Sequence, residues 1–163
     1  MAKEFSKEIA SYRSKAFVIT EVLGISKDPV KFEIDPLAAA SSGELTSLVY
    51  RCDEKNKAGM IFGFFGDRWN SSGVRFNAFA FKNLPKKDAL ELFDKIEKTV
   101  DENAKYINQD DDVNNVYHYF DDIMLLIYKK GSTKIRVFWN DFDSEWDLTA
   151  FRRTKRRLQH KLD

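Results

Sequence analysis

Apolar positions along this chain change their period several times, and each change marks an element. Phe5, Ile9, Tyr12 and Ala16 recur at helical spacing and predict a short leading helix. From Ala16 to Phe81 short apolar or alternating runs take over. Phe17–Leu23, Val30–Ile34, Leu45–Arg51, Met60–Phe65 and Val74–Phe81 read as five strands. The separators Lys27-Asp28-Pro29, Ser41-Ser42-Gly43, Lys55-Asn56-Lys57 and Asn70-Ser71-Ser72-Gly73 carry turn chemistry, and connections this short favour antiparallel neighbours.

Pro85 opens a helical stretch to about Ile107, in which Ala89, Leu92, Phe93, Ile96, Val100, Ala104 and Ile107 form one apolar stripe. Glu91 with Lys95 and Asp94 with Lys98 place acid before base at a spacing of four on its outer face. After the polar loop Asn108–Asn115 come the runs Val116–Phe120, Ile123–Tyr128 and Thr133–Asn140. Lys129-Lys130-Gly131-Ser132 joins the last two as a tight hairpin. A final helix is predicted from Ser144, where Ser144 and Asp147 have the spacing of a capping box.

The expected class is α+β: a predominantly antiparallel sheet of about seven to eight strands in two meander-like groups, five then three. A helix closes each group, and a short helix precedes them. Residues 1–163 read as a single domain, because no linker or low-complexity tract interrupts them. Val74-Arg75-Phe76 precedes the second helix much as Ile135-Arg136-Val137 precedes the third, which hints at a duplication of 16–107 and 113–163.

Composition adds limits. With 43% hydrophobic and 14% aromatic residues, 163 residues carry enough apolar material for one core. Basic and acidic residues number 27 and 26, so a net charge of +1 gives no whole-molecule attraction to a polyanion, and any such site must be local. The longest apolar run, Ile123–Tyr128, is too short to span a bilayer, and Met1–Phe5 lacks the apolar stretch of a signal peptide. The expectation is a cytoplasmic protein, with secretion or a periplasmic location the alternative if a signal peptide has been removed. Cys52 is the one cysteine, which excludes an internal disulfide and a cysteine-cluster metal site.

The strongest local asymmetry lies in the last helix. Leu148, Phe151, Leu158 and Leu162 share a narrow face, and Arg152, Arg153, Arg156, Arg157 and His160 fall opposite, with Lys161 close by. Like charges four apart repel, so either the chain's own acids and the helix dipole answer them, or an anionic partner does. A second group, Arg68, Trp69 and Arg75 around the Gly66–Gly73 loop, mixes cations with rings on which bases can stack. Both groups point to a non-enzymatic binding or interaction protein with a protein partner or self-association. Binding of single-stranded DNA or RNA is the alternative, and a small enzyme with clustered carboxylates is the third reading.

No nucleophile or phosphate-loop motif occurs, and no cofactor or metal is expected. Asp110, Asp112, Asn114 and Asp121 resemble a calcium loop in spacing, but Asn115 stands where glycine is required and Asp121 where a bidentate glutamate is usual. Cys52 with His118 is a formal nucleophile–base pair, against which stands a buried inert thiol. Gly59, Gly63 and Gly66 predict a bulge or close packing within a strand. Trp139–Trp146, where aromatics alternate with acids, is read either as a recognition surface or as the plug between sheet and last helix.

Overall fold

Continuous burial along the central strands of one set and alternating burial along the other accompany a pair of four-stranded antiparallel meanders, each followed by a helix. In this computed structural model residues 12–39, 45–69 and 71–162 are described. The first sheet has the order β1 (Glu33–Ala39), β2 (Leu45–Cys52), β3 (Lys57–Trp69), β4 (Arg75–Pro85). The second has the order β5 (Val116–Phe120), β6 (Ile123–Lys130), β7 (Ser132–Trp139), β8 (Phe142–Asp147). Helix α1 (Ser14–Phe17) runs on as a π-helical stretch, Val18–Leu23; α2 is Lys86–Glu102, α3 Ala104–Ile107 and α4 Leu148–Leu162. No helix among the described residues is long and apolar enough to cross a membrane.

The class is α+β with antiparallel sheets, as expected, but the grouping is four and four rather than five and three. Phe17–Leu23 is helical, not a strand. Val18, Val22 and Leu23 are buried while Ile19, Thr20 and Glu21 are exposed together, a period near four that no strand provides. The predicted helix over Phe5–Ala16 lies mostly outside the described residues. Gly24 ends the helical stretch at φ +85°, its amide donating to the Ile19 carbonyl at 2.9 Å. The last two turn carbonyls, Val22 and Leu23, accept from Lys57 Nζ at 2.7 Å and Lys55 Nζ at 2.9 Å, so the β2–β3 hairpin clamps the negative end of α1.

At the other end of the chain, Phe142–Asp147 is a strand and not the start of the last helix. Asn140 and Asp141 both adopt left-handed backbone, φ +49° and +64°, and turn β7 into β8 as a two-residue hairpin. Phe142, Ser144 and Trp146 then alternate inward with Asp143, Glu145 and Asp147. Asp147 caps α4, its Oδ1 accepting from the Ala150 amide at 2.7 Å. The second predicted strand also shifts, from Val30–Ile34 to Glu33–Ala39, with a register break between Pro36 and Ala38. The long helix breaks at Asn103.

Helices α2 and α4 fill the space between the sheets. Phe93 of α2 stacks on Phe151 of α4 at 5.3 Å, and Trp146 of β8 meets Phe62, Phe93 and Phe151 edge-on at 5.5–5.6 Å. The central strands of sheet 1 are buried on both faces. Its far face lays Leu48, Tyr50, Cys52 and Ile61 under Val18, Val22 and Leu23 of the α1 segment. Phe17 meets Phe81 at 5.2 Å, and the Arg13 guanidinium sits 4.8 Å from the Phe79 ring.

Gly59 carries the close packing foreseen for the glycine-rich strand. A Cβ there would stand 2.5 Å from the Leu84 carbonyl oxygen and 2.6 Å from the Tyr50 hydroxyl. That hydroxyl donates to Asn83 Oδ1 at 2.7 Å, and burial pushes the phenol up to about 12. Neither neighbour can withdraw freely, since one is backbone and the other a buried, bonded ring. Gly59→Ala is expected to lower the unfolding free energy by about 1–3 kcal/mol, read as a lower urea midpoint at unchanged slope.

Candidate functional site

No helix among the described residues covers the outer face of the second sheet. Ile123, Leu125 and Ile127 of β6, with Ile135 and Val137 of β7, point into the core, so the intervening residues point away from it. Strand register orders those outward residues in rows. Tyr119, Met124, Phe138 and Asp143 form one row; Tyr117, Leu126, Arg136 and Glu145 form the next. Tyr117 and Tyr119 are 69% and 56% exposed, among the most exposed large rings described. Met124, Leu126 and Phe138 are half-buried.

The β7–β8 half of the face is polar and internally bonded. Arg136 Nε donates to Asp143 Oδ2 at 2.7 Å, with Nη2 on the same oxygen, and Nη1 reaches Glu145 Oε2 at 3.3 Å. The Tyr128 hydroxyl donates to that Glu145 oxygen at 2.8 Å. Burial first, and the Glu145 carboxylate second, push the Tyr128 phenol up, so it stays a donor. This fork holds Arg136 flat along the sheet.

At the end of the face where the β5–β6 and β7–β8 turns meet lies a cleft of about 320 Å³, with Tyr119, Met124, Phe138 and Trp139 as apolar walls and Asp122, Asp141 and Asp143 as acids. Asp122 is fixed from two sides, by Lys82 Nζ at 2.9 Å and by Trp139 Nε1 at 2.9 Å. Lys82 also takes Asp121 at 2.8 Å, and so clasps β4 of the first sheet to the β5–β6 turn of the second. The Lys82 hydrogen bond holds the Asp122 carboxyl below the usual range, with Trp139 adding to it. That is the opposite of what a general acid requires. Asp141 is exposed and forms no ion pair with a described residue.

The basic helix is mostly occupied by its own chain. Lys155, only 14% exposed, reaches Glu97 at 2.7 Å and Asp94 at 3.1 Å on α2. Arg152 meets Asp101 at 3.6 Å, Lys161 meets Asp35 at 3.2 Å, and Arg157 Nη1 donates to the Leu37 carbonyl. Arg153 and Arg156 are exposed and form no ion pair with a described residue. Arg68 and Trp69 end β3, in register with Phe76 and Arg75 of β4. Their side chains are outside the described part, whereas Arg75 is exposed. The structure therefore does not bring the α4 cations together as one free cluster.

Other candidates separate. Cys52 is buried beneath the α1 segment on sheet 1, while His118 lies on β5 beside Lys95, so the two do not form a pair. In the calcium-like window Asn114 donates to the Tyr106 carbonyl and to Gln109, Asp121 takes Lys82, and Asp111 accepts from the Gly131 amide. No group of three or more His, Cys, Asp or Glu side chains converges among the described residues. Sequence reading missed Tyr117, Tyr119, Met124, Leu126 and Phe138 as a surface. The signal that could have found them was the strict alternation of Tyr117, His118 and Tyr119, combined with the Asn140-Asp141 turn. Comparisons with protein-family models, with curated proteins and with solved structures find no match to this chain.

His118, on the same edge strand, links this region to pH. Burial first and the Lys95 ammonium second hold its imidazole below the ordinary value of 6.5; the Tyr119 backbone opposes them only in part, and neither ring nitrogen makes a hydrogen bond of normal geometry. A depressed histidine leaves the unfolded chain binding more protons, so stability is complete above about pH 6.5 and falls as pH drops towards the lowered value. Urea midpoints taken at pH 7.5 and 5.5 should therefore differ more in the wild type than in His118→Leu.

Proposed function

We propose that this chain is a non-enzymatic interaction module that binds a partner protein through the outer face of its second sheet. The observation that carries this reading is the contrast between the two meanders. Among the described residues, the α1 segment covers the outer face of the first while no element covers the corresponding face of the second, which has two exposed tyrosines over a half-buried apolar floor. A mixed apolar and polar patch of this kind, rich in Tyr, Phe, Met and Arg, has the composition of a non-obligate interface.

Two further features favour it over the alternatives. Four of the basic residues on and around α4 serve intramolecular contacts, so the helix supplies Arg153 and Arg156 rather than a full polyanion site. The cleft carboxylate with a resolved shift, Asp122, is ionised and locked between Lys82 and Trp139, which supplies no proton donor for acid–base chemistry.

The test is affinity capture with three baits: wild type, Tyr117→Ala with Tyr119→Ala, and Arg153→Glu with Arg156→Glu. A partner retained by the arginine variant but weakened at least tenfold by the tyrosine variant is the expected result. The reverse pattern would move the function to α4. Labelled single-stranded oligonucleotides that bind with a steep salt dependence, lost in the arginine variant, would replace the protein partner with nucleic acid.

A further inference from the structure

We infer that the occupant of this open face is an amphipathic helix of the partner, with a basic residue at the end that reaches the Tyr119–Asp143 cleft. The inference rests on reading the face as a docking surface, and adds the chemistry of what docks there.

The first meander shows what this chain itself uses to cover such a face. Phe17, Val18, Val22 and Leu23, about one turn apart, lie on the outward residues Leu48, Tyr50, Ile61 and Phe81 of the first sheet. On the second sheet the matching strands offer Leu126, Met124 and Phe138, flanked by Tyr117 and Tyr119, a stripe crossing β5, β6 and β7. A helix presents residues i, i+4 and i+7 to a stripe of that kind. Strand addition suits β5 less well, because the Tyr119 carbonyl on this edge strand already accepts from Lys95 Nζ at 3.2 Å.

Charge fixes the end. Asp122, Asp141 and Asp143 line the cleft, Lys82 answers Asp122 and Arg136 answers Asp143, and no described cation pairs with Asp141, so the described lining stays acidic. A lysine or arginine entering between Tyr119 and Phe138 gains the carboxylate and the ring faces together. Two copies of this chain paired face to face about a two-fold axis parallel to the strands would bring the two clefts together, and a nucleic-acid backbone would meet these acids directly. Both of those arrangements are disfavoured by the same charges.

The experiment is selection of a displayed library of randomised helical peptides against the folded full chain, with winners remeasured by fluorescence anisotropy. Enriched peptides are expected to carry an apolar i, i+4, i+7 stripe and a basic terminal turn. Their affinity should fall about tenfold on Asp141→Lys and be lost in Tyr117→Ala with Tyr119→Ala. Winners that are acidic or extended, yet still need Tyr117 and Tyr119, would overturn the helix-and-cation inference and leave the docking face standing. No enrichment, or winners indifferent to both tyrosines, would overturn the docking face as well.

Discussion

The two sheets of this molecule and the helices α2 and α4 meet at an aromatic joint. Trp146, from the last strand of the second sheet, stands edge-on to Phe62 of the first sheet and to Phe93 and Phe151 of the two helices between them. Each ring is almost wholly buried. Rings of this size bury about 150–250 Å² apiece and favour these tilted and stacked arrangements, so a four-ring contact sets the spacing of both sheets and both helices at once. The cost is visible in the indole nitrogen of Trp146, buried without an acceptor among the described residues.

Electrostatics then orients the last helix across that joint. The α4 cations would repel one another in an isolated helix, but α2 lies alongside with Asp94, Glu97 and Asp101, and β1 offers Asp35 and the Leu37 carbonyl. Lys155, nearly enclosed between two carboxylates, has the strongest claim to stabilise the pair, while exposed contacts such as Arg152 with Asp101 contribute little. The basic face is thus largely a strap joining α2 to the edge of the first sheet.

What distinguishes the two meanders is their covering. The first is closed on both sides along its central strands, with the π-helical stretch that follows α1 held down by Lys55 and Lys57 at its carboxyl end. The second spends its outward side chains differently: half on the Arg136–Asp143–Glu145–Tyr128 network, half on exposed rings and an acidic cleft. Among the described residues this face stays uncovered and chemically mixed, and the sheet behind it pre-orders the side chains that it presents.

Local pattern made the central strands and α2 legible from sequence, since Leu45–Arg51 and Ile123–Tyr128 are short apolar-rich runs and Ala89–Val100 keeps one helical stripe. It failed at Val18–Leu23, a short apolar run in which strand and helix compete, and at Phe142–Asp147, where two left-handed residues at Asn140 and Asp141 begin a strand that the acidic composition disguised as a helix start. By itself the sequence determined the class and the central strands and helices, because these depend on local spacing. Only the tertiary structure decided which outward face received a helix, and whether the α4 cations met solvent or the acids of α2 and β1. Those outcomes rest on contacts between residues as far apart as Leu37 and Arg157, which no local pattern encodes.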